Sequence, residues 1–159
     1  MDEAMREQVG RALGRIPSGC AIVTARAGGR RTGMLASWVQ QAAFEPPMIS
    51  VAIKKGRPIS AMIDASGEFV VNVLRENPTA MFKHFGKGFD LEQDAFAGLA
   101  VREVTCGVEI PDQIARLSVR VKSECEAGDH VVYVAEVVEA SAGEIRPPYV
   151  HVRKSGWGY

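Results

Sequence analysis

The sequence lacks the features of proteins that bind nucleic acid, cross a membrane or enter the secretory route. Its 19 basic and 19 acidic residues cancel, so no net positive field attracts nucleic acid or an anionic membrane. No apolar run approaches the roughly 18 residues of a membrane span, and the N-terminus, MDEAMREQVG, lacks the apolar region of a signal peptide. We therefore expect a cytoplasmic protein that binds neither nucleic acid nor membrane.

Cysteine is also scarce. The three cysteines, Cys20, Cys106 and Cys125, are far apart and form no CxxC pair, which excludes a disulfide framework and a zinc knuckle. We expect all three to be buried, reduced thiols. The three histidines are His84, His130 and His151. They show no metal-ligand spacing, so no metal site is predicted.

Familiar nucleotide-binding and nucleophile motifs are missing too. The chain contains no GxGxxG, no GxxxxGK[ST] and no GxSxG, so neither a Rossmann site, a P-loop nor a hydrolase elbow is predicted. Strands do not alternate with long helices, which argues against a parallel doubly wound sheet.

What the chain does contain is an unusual stretch from Arg31 to Ile53, RTGMLASWVQQAAFEPPMISVAI, followed by the basic turn Lys54–Arg57. Small residues such as Gly33, Ala36 and Ser37 let a strand approach a flat ligand or another backbone closely. Cations at the start of a helix suit a phosphate. The stretch is therefore either a nucleotide-like cofactor site or a tightly packed strand pair followed by a solvated turn.

Periodicity predicts about six or seven strands and three short helices in a single domain, residues 1–159. Helices are predicted at 3–14, at 57–64 and at 77–85, the last with Asn77 as N-cap and Pro78 as first helical residue. Strands are predicted at 20–25, from 31 onward, at 48–53, at 68–74, broken within 101–110, and as a hairpin of 115–126 with 130–140. Hairpins dominate, so we expect a mainly β fold, a small antiparallel barrel with added helices.

Two predictions concern polar residues within these strands. In 115–126, Leu117, Val119, Val121 and Cys125 should face the core, and Arg116 should lie on the exposed face with its charged neighbours. Asn72, inside an apolar strand, must find hydrogen-bond partners, either in the core or on a ligand.

The combination resembles the flavin reductase-like family, whose fold is the FMN-binding split barrel, a six- or seven-stranded antiparallel Greek-key barrel. The matching pieces are Gly33, Ala36-Ser37, Pro46-Pro47, Phe69-Val70, Asn72-Val73-Leu74 and Gly128-Asp129-His130. MLASWVQQAAFEPP, KHF, FAG and RKSGWGY are most similar to the C-terminal flavin reductase domain of cyanobacterial-type flavodiiron proteins. One departure is Leu35, where much of the family has Thr; backbone contacts to a flavin remain available there.

The resemblance implies FMN, or FAD, bound against the barrel near a homodimer interface. Ala36, Ser37 and Trp38 would lie along the flavin, Gln41 would face its pyrimidine edge, and Lys55 and Arg57 would bind phosphate. His130 would contact nicotinamide or flavin, or else be a hairpin-turn residue. Trp157 and Tyr159 would cover the open flavin face, or else merely pack on the barrel.

The implied activity is hydride transfer from NAD(P)H to FMN, which would supply reduced flavin or electrons to a partner or acceptor such as an electron-accepting protein. Such chemistry requires no acid–base cluster from the protein, in agreement with a chain that shows none. Two alternatives stay open: a non-catalytic FMN-binding electron carrier, and a cofactor-free dimeric interaction module.

Overall fold

The computed structural model describes residues 1–158, which form a mainly β structure with three helices. The helices are α1 (Glu3–Gly14), α2 (Pro58–Ser66) and α3 (Thr79–Phe85). The strands are β1 (Ser18–Gly19), β2 (Ala21–Ala27), β3 (Arg30–Ala36), β4 (Val39–Ala43), β5 (Met48–Lys54), β6 (Glu68–Leu74), β7 (Arg102–Val104), β8 (Gly107–Glu109), β9 (Gln113–Ala127), β10 (His130–Ala142) and β11 (Val150–His151). None of the described helices is both long and apolar enough to span a membrane.

Seven strands form one antiparallel sheet in the order β3-β2-β6-β9-β10-β5-β4. The two outer strands, β3 and β4, are joined by only Ser37 and Trp38. Three Cα–Cα steps reach at most about 11 Å, so the two edges of the sheet must converge at this link. The sheet therefore curls into a barrel, and because β3 and β4 are not paired with each other, the barrel is split between them.

Strand β2 is buried on both faces and separates two apolar clusters. Its residues Val23 and Ala25 point into the barrel, where they join residues of β5, β6, β9 and β10 and the inner face of α2. Ile22 points to the other side, where α3 and the segment after it pack. The hydroxyl of Tyr133 donates to Asp64 Oδ1 at 3.0 Å and fixes α2 on the barrel.

Asn72 joins three strands within the core. It is completely buried, and its Nδ2 donates to the carbonyls of Ile22 and Val108, each at 3.1 Å. Its Oδ1 accepts from the amide of Ile110 at 3.2 Å. Of the two roles predicted for Asn72, the structure supports the core hydrogen-bonding role.

Three local predictions were wrong. The N-cap of α3 is Pro78 rather than Asn77, because Asn77 adopts a left-handed conformation (φ 55°) that asparagine tolerates and that delays the helix start. Arg116 is buried rather than exposed, since carboxylates on neighbouring strands pair with it: Glu139 at 2.6 Å and Glu109 at 2.9 Å. Cys125 is exposed, because the tip of the β9–β10 hairpin extends beyond the core.

The other two cysteines are buried as predicted. Burial raises the pKa of the Cys20 and Cys106 thiols to about 11, so both are protonated at neutral pH. The predicted strands and helices otherwise lie within a few residues of the observed ones. The broken strand predicted within 101–110 is a short hairpin of β7 and β8 in the structure.

Candidate functional site

A cavity of about 240 Å³ opens at the split of the barrel, beside the β3–β4 link. One wall is the segment Met34–Trp38, and a second comes from β5 and the start of α2, through Ala52 and Arg57. The end of α3 and the turn after it supply the third wall: Phe82, Phe85, Gly86 and Gly88. Cys20 and His151 complete the lining. The lining is mostly apolar, with few polar groups, as is usual for a site that binds a small molecule.

Ser37 is a buried polar residue on the lining of this cavity. Its side chain is only 7% exposed, and within residues 1–158 its Oγ has no hydrogen-bond partner. An unpaired buried hydroxyl costs about 1–3 kcal/mol, so buried hydroxyls normally have partners. A ligand whose polar edge reaches Ser37 would supply the missing one.

Arg57 places a positive charge at the rim. It is the N-cap residue of α2, makes no side-chain capping bond, and is exposed. Its Nη1 lies near Gly88, 3.7 Å from where a Cβ on that glycine would be. No ion pair of this guanidinium occurs among the described residues. A free guanidinium beside a helix N-terminus is a favourable position for a phosphate.

Trp38 lines the cavity and is contacted from two other segments. The His130 ring lies 4.6 Å from its ring, and the guanidinium carbon of Arg153 lies 5.2 Å from the ring centre. His130 is 7% exposed, and its Nδ1 lies 2.7 Å from Asp129 Oδ1. This hydrogen bond is the main cause of the lowered pKa of the Asp129 carboxyl. His130 does not line the cavity; it contacts the cavity wall through Trp38.

The structure therefore brings four predicted site residues to one cavity: Ala36, Ser37, Trp38 and Arg57. Other predicted residues lie elsewhere in this chain. Lys55 Nζ is 3.0 Å from Glu126 Oε2, and Gln41 Nε2 bonds the Ala43 carbonyl at 3.4 Å on the exposed strand β4. Trp157 packs on α1, and its Nε1 donates to the Arg6 carbonyl at 2.9 Å. Tyr159 lies outside the described residues.

Sequence reasoning missed the wall from α3 and the contribution of His151. Phe82 and Phe85 are three residues apart on one helix face, which is a recognisable signal, but nothing local connects that face to β3. The connection depends on Gly33, where a Cβ would lie 2.9 Å from Phe85 Cε1. Gly33 thus admits the phenylalanine ring against β3, so this small residue serves packing within the chain.

Known proteins of similar sequence were found over nearly the whole chain. The profile of the flavin reductase like domain matches residues 13–156. Diflavin flavoprotein A 1 of Synechocystis sp. is 38% identical over 149 residues, 92% of this chain and 26% of that protein. A diflavin flavoprotein of Nostoc sp. is 38% identical over 154 residues, 95% of this chain and 27% of that protein. The chain thus spans about a quarter of the length of these relatives.

Solved structures share the fold. Component B of nitrilotriacetate monooxygenase from Mycobacterium thermoresistibile has a TM-score of 0.82 at 27% identity, covering 96% of this chain and 86% of that one. An NADH:FAD oxidoreductase from Streptomyces globisporus has a TM-score of 0.86 at 23% identity, covering 97% and 92%. These matches confirm the resemblance and the split-barrel fold expected from the sequence.

Proposed function

Because the chain belongs to the family of flavin reductase-like domains, we propose that it transfers a hydride from NAD(P)H to FMN bound in the cavity at the split of the barrel. The observation that carries the proposal is the buried, unpartnered Ser37 hydroxyl within an apolar cavity whose rim holds Arg57. An apolar slot, one hydrogen-bonding group and one cation match a flat ring with a polar edge and a phosphate.

The residues divide into those that hold the ring and those that hold the phosphate. Ala36 is small enough for close approach of a ring, and Phe82 and Phe85 supply an apolar wall opposite β3. Ser37 would hydrogen-bond the polar edge of the ring, and the Arg57 guanidinium at the N-terminus of α2 would bind the phosphate. FMN is the preferred cofactor because Arg57 is the only arginine or lysine on the lining within residues 1–158, which suits the single phosphate of FMN. FAD, with two phosphates, is the alternative.

A bound flavin would itself supply the hydride acceptor, and the protein contributes orientation and exclusion of water. Trp38 would limit where a second ring can lie beside the flavin. His130, held by Asp129 and packed on Trp38, is the proposed orienting residue for the nicotinamide. No proton transfer by a side chain is required.

Flavin binding and anaerobic reduction test the proposal together. The purified chain is titrated with FMN, FAD and riboflavin by flavin fluorescence, and the complex is mixed anaerobically with NADH or NADPH while flavin absorbance is followed. We expect FMN to bind and its absorbance to bleach. Binding without bleaching by either nucleotide would favour the electron carrier, and absence of flavin binding would favour the cofactor-free interaction module.

We also propose a homodimer, and an electron-accepting protein as a further partner. Support for an interface comes from apolar residues left exposed near one end of the sheet: Phe44 is 87% exposed and Val138 is 38% exposed. Strand β4 next to Phe44 is an outer strand of the sheet and, among residues 1–158, pairs only with β5, which leaves one edge open for another strand. The cytoplasmic location expected from the sequence stays a prediction.

A further inference from the structure

The C-terminal segment Arg153–Trp157 is held against α1 by a close backbone contact, which we call the tail clasp. The Arg153 amide donates to the Gly14 carbonyl at 3.2 Å, and the Gly156 amide donates to the Gly10 carbonyl at 2.6 Å. A Cβ on Gly14 would lie 2.8 Å from the Arg153 carbonyl oxygen. The two glycines lie one helical turn apart, so together they let the tail run directly over the helix.

The side chain of Arg153 connects this clasp to the cavity. Its Nη2 donates to the Leu13 carbonyl at 3.3 Å, near the C-terminal end of α1 where carbonyls favour a cation. The same guanidinium lies over the Trp38 ring, 5.2 Å from its centre and within the range of a cation–π contact. One side chain thus bridges α1 and a wall of the cavity.

From this bridge we infer that Arg153 is a positioning residue for the flavin site. It acts through Trp38: the guanidinium and the His130 ring both pack against the indole and limit its movement. The indole in turn lines the cavity. We therefore expect the loss of Arg153 to free the Trp38 indole while the core of the barrel is retained. The inference rests on the proposed function for its ligand, but the restraint on Trp38 is independent of any ligand.

The experiment compares Arg153→Ala and Arg153→Lys with Arg146→Ala as matched control. Arg146 precedes the tail clasp by seven residues, its ion pair within residues 1–158 is with the exposed Glu144 at 2.8 Å, and it is not part of the cavity lining. FMN affinity is measured by fluorescence titration. We expect Arg153→Ala to weaken FMN roughly 3- to 10-fold, Arg153→Lys to restore part of the loss, and Arg146→Ala to have no effect.

A second measurement reads Trp38 directly without flavin. With 5-fluorotryptophan the protein gives two fluorine NMR signals, one from Trp38 and one from Trp157, which a Trp38→Phe variant assigns. Arg153→Ala should shift or broaden the Trp38 signal and leave the Trp157 signal in place, because the backbone bonds of the tail clasp remain. Gly14→Ala, which opens the clasp, should move both signals and weaken FMN in the same direction.

The outcomes separate this inference from the proposed function. If wild type binds FMN and Arg153→Ala binds it within twofold of wild type, the inference is overturned and the function stands. If wild type binds no flavin, the proposed function fails, and an unchanged Trp38 signal in Arg153→Ala would overturn the positioning role as well. Should Gly14→Ala not fold, the Arg153 variants decide.

Discussion

Replacing Arg57 with alanine removes the charge at the cavity rim with little effect on folding. The side chain makes no capping bond and no ion pair among the described residues, so the free energy of unfolding should hardly change. A charge-assisted hydrogen bond contributes about 1.5–3 kcal/mol, and the exposure of Arg57 reduces this by screening. We therefore expect Arg57→Ala to weaken FMN by about 1–2 kcal/mol, on the order of 5- to 30-fold.

Riboflavin is the decisive comparison, because it has the same ring and lacks the phosphate. Titration of both flavins by fluorescence should show the loss for FMN and almost none for riboflavin. Lys55→Ala is the matched control. From the sequence alone, Lys55→Ala is expected to weaken FMN binding less than Arg57→Ala does, because lysine lacks the bidentate fork of arginine. In the structure Lys55 pairs with Glu126 at 3.0 Å, so we expect the FMN affinity of this variant to change by no more than about twofold. An equal loss of both flavins in Arg57→Ala would show that Arg57 does not bind the phosphate.

Three further predictions concern stability, chemistry and assembly. Asn72→Leu should lower the free energy of unfolding, measured by urea denaturation, by about 2–4 kcal/mol, because it leaves the backbone amide of Ile110 without its hydrogen-bond acceptor. A loss below about 1 kcal/mol would contradict the core role of Asn72. His130→Ala should slow anaerobic flavin bleaching by NAD(P)H at saturating FMN by up to about 100-fold, since it loosens the orientation of the nicotinamide, and its loss of FMN affinity should be no larger than that of Arg153→Ala, because Arg153 still packs on Trp38. A wild-type bleaching rate at saturating nucleotide would leave His130 a structural residue. Light scattering of the flavin-bound protein at micromolar concentration should give the mass of a dimer, and a monomer would refute the assembly.

Features encoded by short-range periodicity were predicted well from the sequence. The β9–β10 hairpin was found from its alternation, and β6 from its continuous apolar run. Errors arose where a distant segment decides the environment. Arg116 lies on the face that alternation marks as exposed, yet Glu109 and Glu139 cover it from other strands. No local pattern contains that information.

The same distinction applies to the candidate site. Ala36, Ser37, Trp38 and Arg57 come from one stretch and the turn that follows it, so a single unusual segment indicated them together. The residues of α3 and His151 reach the cavity only because the barrel topology and the packing of Phe85 on Gly33 bring distant segments together. The sequence predicts Lys55 as a phosphate ligand together with Arg57 because the two are close in sequence. Its ion-pair partner, Glu126, lies on β9, and no pattern around Lys55 indicates that contact.

The two-residue link between β3 and β4 restricts how the chain can change in length. β4 pairs with β5 with Val39 opposite Val51, and Val39 packs against the core inside the barrel. One residue inserted between Ala36 and Val39 would either lengthen the link and separate the two edges, or slide β4 by one position and turn Val39 outward. The turn at Gly28–Gly29 has open space around it and would accept such an insertion. Length variation is thus expected at the outer turns of this barrel, while the two residues beside the cavity form a segment of fixed length.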